Sequence, residues 1–159
     1  GVKIVAVSAG NAHSLAISDN GTVYATGYNL YGRLGDGTTT QRTSFVPITS
    51  LSGVKIVAVS AGNAHSLAIS DNGTVYATGY NYYGRLGLGL SNTANVYTFT
   101  EVSSLNDKNI TAISAGNEHS LAISDESVVY ATGYNYYGRL GQNGTTDKNI
   151  FEFSASLID

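Results

Sequence analysis

The 159-residue chain carries a net charge of −3, and only 12% of its residues are charged, about half the share usual in globular proteins. That balance argues against nucleic acid or an anionic membrane as a partner, and the absence of cysteine excludes disulfides and thiolate metal sites. No apolar run approaches the roughly 18 residues that a membrane-inserted helix needs.

The first element in chain order is a long repeat. Gly1 to Asn29 returns letter for letter as Gly53 to Asn81, a period of 52 residues. It returns again, edited, from Lys108 to Asn135, with a step of 54 residues between Gly62 and Gly116. A period near fifty residues marks a propeller, solenoid or array. The repeats divide the chain into 1–52, 53–106 and 107–159.

Each repeat reads as β structure. Val2 to Ala9 alternates and is rich in branched residues, and Gly10-Asn11 breaks it. Ser14 to Ser18 is a second strand with Leu15 and Ile17 on one face. Asp19-Asn20-Gly21-Thr22 is a hairpin turn, and its Asn-Gly pair predicts type I′. Val23 to Thr26 is a third strand, Gly27 to Gly37 a glycine-punctuated loop, and Thr43 to Leu51 an irregular fourth strand that Pro47 marks as an edge. Four short strands per period describe one propeller blade. The expected fold is therefore all-β: three four-stranded β-propeller blades, forming an incomplete propeller or a protomer that completes by head-to-tail association.

The later copies differ in detail. Two extra residues fall within Leu88 to Asn95, an exposed loop by expectation. Phe45, Phe99 and Phe151 recur at the start of each outer strand, and Leu51, Leu105 and Leu157 at its end. In the third copy Asp125-Glu126-Ser127-Val128 replaces the turn and removes its glycine, which predicts a different turn type or a longer loop. Asn143 stands where Gly37 and Gly89 stand, with Gly144 following.

The pattern Ser8-Ala9-Gly10-x-x-His13-Ser14-Leu15-Ala16, then Gly21-x-Val23-Tyr24-Ala25-x-Gly27-x-Asn29-x-x-Gly32-x-Leu34-Gly35, resembles the repeat of the regulator-of-chromosome-condensation family. The resemblance covers all three periods; no Trp-Asp pair or adjacent Gly-Gly points to another propeller family. It implies four-stranded blades around an axis, usually seven per ring, acting mainly as protein-binding platforms. Two departures stand out. The family's frequent Trp is Thr26, Thr78 and Thr132 here, which excludes a tryptophan-based photoreceptor, and its usual Gln is Arg33, Arg85 and Arg139. Three blades cannot close such a ring. Either the chain, which begins at Gly1 without a signal peptide, is a piece of a longer propeller, or its two similar end faces meet head to tail.

No enzymatic chemistry is expected, and no cofactor or metal. His13, His65 and His119 recur once per repeat, so a packing role ordering the turn between the first two strands outweighs a three-histidine metal site. Adjacent His13 and Ser14 point to opposite faces of a strand, and Asp19 belongs to a turn, which disfavours a hydrolytic triad. Gly32 to Gly37 does not open a helix, so a phosphate cradle is unsupported. Glu101, Glu118 and Glu126 are unique to one repeat, with no evident partner. Asn20, Asn72, Asn109 and Asn143 begin glycosylation triplets, two of which the hairpin turns explain.

The tyrosines suggest a surface. The candidate protein-binding loops carry Tyr28, Leu30, Tyr31 and Arg33, then Tyr80, Tyr82, Tyr83 and Arg85, then Tyr134, Tyr136, Tyr137 and Arg139. Tyr and Arg are enriched in interface hot spots. The expected partner is another protein or a further copy of the chain, with no nucleic acid and no membrane insertion. The composition leans towards an extracellular or cell-surface setting.

Overall fold

A computed structural model describes residues 1–89 and 94–154. It contains three four-stranded antiparallel sheets, each built in chain order from one repeat. The first holds β1 (Ile4–Ala9), β2 (His13–Ser18), β3 (Val23–Gly27) and β4 (Arg42–Pro47). The second holds β5 (Ile56–Ala61), β6 (His65–Ser70), β7 (Val75–Gly79) and β8 (Val96–Glu101), and the third β9 (Ile110–Ala115), β10 (His119–Ser124), β11 (Val129–Gly133) and β12 (Lys148–Phe153). Strands β1, β5 and β9 lie side by side, so they form the inner wall of a partial propeller.

The fourth strand is shorter than its sequence suggests. β4 ends at Pro47 on the sheet edge, and Thr49–Leu51 turns into a 3-10 segment that buries Leu51; Ser103–Leu105 does the same for Leu105. Leu157 and part of the Leu88–Asn95 insertion lie outside the described residues.

The hairpin turns correct two expectations. Gly21 donates its N–H to the Ser18 carbonyl and Ser18 donates its own to Thr22, while only Gly21, not Asn20, has positive φ (85°). This is a three-residue loop, a type I turn closed by a left-handed glycine, rather than type I′. Asn20 contributes through its side chain: Oδ1 accepts from Ser18 Oγ at 2.6 Å and from the Thr22 amide at 3.1 Å. The third copy keeps the same turn. Ser127 bonds to Ser124, Ser124 to Val128, and Ser127 itself takes φ 64°.

The apolar core lies between blades, not within them. One cluster joins Leu15, Ile17, Val23 and Leu34 to Ile56 and Phe99 of the next repeat. The second joins Leu67, Ile69, Val75 and Leu86 to Ile110 and Phe151. β6, in the middle of the array, is buried along its whole length, whereas β10 alternates because its outer face has no neighbour among the described residues. Close approach fixes the glycines here. A Cβ at Gly35 would stand 2.4 Å from the Phe99 ring, and one at Gly87 would stand 2.3 Å from Phe151.

Candidate functional site

The loop after each third strand is locked by a buried asparagine. Asn29 Oδ1 accepts the Leu34 amide at 3.0 Å, and its Nδ2 donates to Asp36 and to the Thr38 carbonyl. Asn81 and Asn135 accept the Leu86 and Leu140 amides in the same way. These asparagines recur in the sequence pattern, but nothing local distinguishes them from ordinary turn residues. Asp36 adds rigidity: burial pushes its carboxyl up, yet hydrogen bonds from Thr38, Arg42 and Asn29 outweigh this and hold it below its ordinary value.

On this frame the tyrosines form one ribbon across the blades. Tyr31 stacks on Tyr80 with centroids 4.5 Å apart, Tyr80 on Tyr82 at 5.9 Å, and Tyr82 meets Tyr83 edge-on at 4.2 Å. Tyr83 reaches Tyr134 at 4.3 Å, which continues to Tyr136 and Tyr137 at 6.2 and 6.5 Å. Tyr28 joins through Arg33, whose guanidinium lies 4.9 Å from the Tyr28 ring and 5.8 Å from Tyr31. Tyr28, Leu30, Tyr82, Tyr136 and Tyr137 are exposed, and Tyr31, Tyr80, Tyr83 and Tyr134 half-buried. A cleft of about 320 Å³ runs beside the ribbon, lined by Tyr28, Tyr31, Tyr80, Arg85 and Glu118 among others.

Two of the candidate residues do not belong to the exposed surface. Arg33 and Arg85 are buried, donating from Nη1 to the carbonyls of Asn63 at 2.8 Å and Asn117 at 2.9 Å in the following blade. They hold seams and support the rings from beneath. Arg139, half-buried, has no following blade among the described residues; it pairs with Glu118 at 3.5 Å and lies under Tyr134 and Tyr137. Glu118 therefore has a partner after all. Glu101 too accepts a bond, from Asn106 at 2.7 Å.

The histidines act across seams rather than within a turn. His13 Nε2 lies 2.8 Å from Ser66 Oγ, and His65 Nε2 lies 2.9 Å from Ser120 Oγ. Each serine donates its own proton to an arginine carbonyl, Arg33 or Arg85, at 2.7 Å. The imidazole must then donate from Nε2, leaving Nδ1 bare and without a partner. Burial, with a smaller effect of Arg33, pushes His13 down to about 4; burial and then Arg85 push His65 well below its ordinary value. Both imidazoles are neutral at pH 7. Near the axis Asn11 Nδ2 donates to Asn63 Oδ1 at 2.9 Å, and Asn63 donates to Asn117.

Four-stranded blades joined by side-chain bonds at every seam, with a ring-lined loop face, define a repeat-propeller scaffold. The chain belongs to the family described as the regulator of chromosome condensation (RCC1) repeat: its profiles match residues 20–69 and 72–123, and, in a second form, 4–33, 56–85 and 110–139. It is 37% identical over 162 residues to the human "Probable E3 ubiquitin-protein ligase HERC4", covering 99% of this chain but 15% of that protein. Among solved structures, human WBSCR16 superposes with a TM-score of 0.85 at 24% identity, covering 94% of this chain and 37% of that one. Prp20p from Saccharomyces cerevisiae superposes at 0.84 with 20% identity, covering 95% and 38%. The chain thus spans well under half of each of these proteins.

Proposed function

We propose that the chain is a non-enzymatic protein-interaction scaffold, a segment of propeller that presents the tyrosine ribbon to a protein partner. The observation that carries this reading is the ribbon itself: rings spanning three blades, seated on loops braced by buried asparagine and arginine. Rigid tyrosines give large amphipathic contact area at low entropic cost. The Prp20p structure is described with its binding to Gsp1p and histones, which supports protein binding as the task of such blades. The ligase activity in the name of HERC4 belongs to a protein of which the match covers 15%, and it is not carried over.

The test is to immobilise the chain and a Tyr82→Ser/Tyr136→Ser/Tyr137→Ser variant, and compare proteins retained from an extract of the source cells by quantitative mass spectrometry. We expect a defined subset to be lost with the variant. Identical retained sets would sink the reading. A second reading, copies joining end to end, is favoured by the two outer blade faces, which are uncovered among the described residues: Phe45 is 51% exposed there, while Phe99 and Phe151 in the inner seams are 6% and 4% exposed.

A further inference from the structure

We infer that the 159-residue chain pairs head to tail with a second copy, the outer face of its first blade docking on the outer face of its third. This gives the end-to-end reading its residues and stoichiometry, and rests on it. The argument starts from the inner seams, where one set of contacts is made twice. A histidine bonds the next blade's serine, an arginine bonds the next blade's asparagine carbonyl, and a glycine receives the next blade's phenylalanine ring. The outer faces hold the two halves of that set. The third blade offers His119, Arg139 and Gly141; the first offers Ser14, Asn11 and Phe45. Among the described residues none of these makes its cross-seam contact.

The apolar surfaces match in the same way. Leu121, Ile123 and Val129 line an open groove of about 200 Å³, although Leu15, Ile17 and Val23, their counterparts, lie under the second blade. On the opposite face Ile4 is 45% exposed, against 2% for Ile56 in identical sequence. Docking would bury both surfaces as the inner seams do, and apolar faces of this kind drive association. The contact is heterologous, so closure decides its extent. The arc superposes on a larger propeller over 94% of its length, so it shares that curvature. In the seven-blade ring the family resemblance implies, two copies fill six positions, and the remaining gap is too narrow for a third. The product is a dimer, not a filament.

The turn at the edge of the third blade differs. A Cβ at Gly21 lies within 2.9 Å of backbone in the next blade, and one at Gly73 within 2.7 Å of the Asn109 side chain, yet Ser127 carries a side chain there. The second copy must shift at Lys3, and Ser127→Gly should tighten the dimer by about tenfold, or ~1.4 kcal/mol.

The experiment is light scattering after size exclusion on the purified chain across a concentration series. We expect twice the 16.6 kDa chain mass. Phe45→Asp and Leu121→Asp should each remain at the single-chain mass, and an equimolar mixture should recover the doubled mass, because each variant keeps one intact face. Recovery also shows that both variants fold; His119→Arg, at a half-buried position on the same face, replaces Leu121→Asp if that variant does not. Wild type at single-chain mass throughout would overturn both the end-to-end reading and this geometry. A doubled mass that survives the single substitutions, a mixture that does not recover, or a mass that climbs without limit would overturn this geometry alone.

Discussion

The inner seams and the outer faces of the array are made of the same residues in two environments. Ile4 and Ile56 sit in identical 29-residue stretches, yet one is 45% exposed and the other 2%. Phe45 is in solvent while Phe99 and Phe151 lie against Gly35 and Gly87. Arg85 reaches across to Asn117, but Arg139 at the open end turns back to Glu118. The difference teaches that stability in this fold is a property of neighbours: a blade supplies half of each core and half of each hydrogen-bond set, as in other repeat architectures.

The largest effect should come from the phenylalanines. Phe99→Ala removes a ring wedged between blades and should cost about 3–5 kcal/mol of unfolding free energy. Phe45→Ala, on the open face, should stay within about 0.5 kcal/mol in the dilute monomer. Chemical denaturation of both variants at low concentration checks the contrast. Equal losses would mean that the first blade's outer face is covered in the monomer, against the structure.

The histidines sharpen the comparison through pH. His13 is depressed from an ordinary 6.5 to about 4, chiefly by burial in the first seam. Between these values the unfolded chain binds a proton that the folded chain refuses. The stability is fully present above pH 6.5 and is lost as pH falls towards 4, by about 3 kcal/mol for this one group. His65 acts with the same sign, and His119, less buried, is also lowered. A denaturation midpoint that falls steadily from pH 7 to pH 4.5 is expected. His13→Gln, whose amide can still donate to Ser66, should flatten that fall. Asp36 acts separately: its depressed carboxyl contributes stability that is lost only below the ordinary carboxylate range.

How much of this was legible follows the same division. Strands and period could be read because alternation, Gly10-Asn11 and the turn at Asn20-Gly21 are local signals. Seam partners could not, because His13 meets a serine 53 residues away and Arg33 a carbonyl 30 residues away. Arginine is enriched in interface hot spots, which groups Arg33 and Arg85 with the candidate loop residues, but both are buried beneath the tyrosine rings. The tyrosine ribbon was half legible. Its members were named from recurrence, but their stacking depends on Tyr31 meeting Tyr80 and Tyr83 meeting Tyr134 across seams.

The turn glycines make the finest test of the comparison. Gly21, Gly73 and Ser127 occupy equivalent places with φ of 85°, 82° and 64°. At the first inner seam glycine is required twice over, by the left-handed backbone and by the next blade, since a Cβ at Gly21 would stand 2.9 Å from the Ile56 amide nitrogen. On the open face the second requirement vanishes, and only the conformational cost of an L-residue at positive φ remains, of order 1 kcal/mol. Ser127→Gly should therefore stabilise the dilute monomer by about 0.5–1 kcal/mol, the gain reduced by glycine's greater freedom in the unfolded chain. Gly21→Ala meets both penalties and should lose clearly more than that gain. If the two substitutions moved the denaturation midpoint by equal and opposite amounts, backbone conformation alone would govern the turn, and the neighbouring blade would contribute nothing to the choice of glycine.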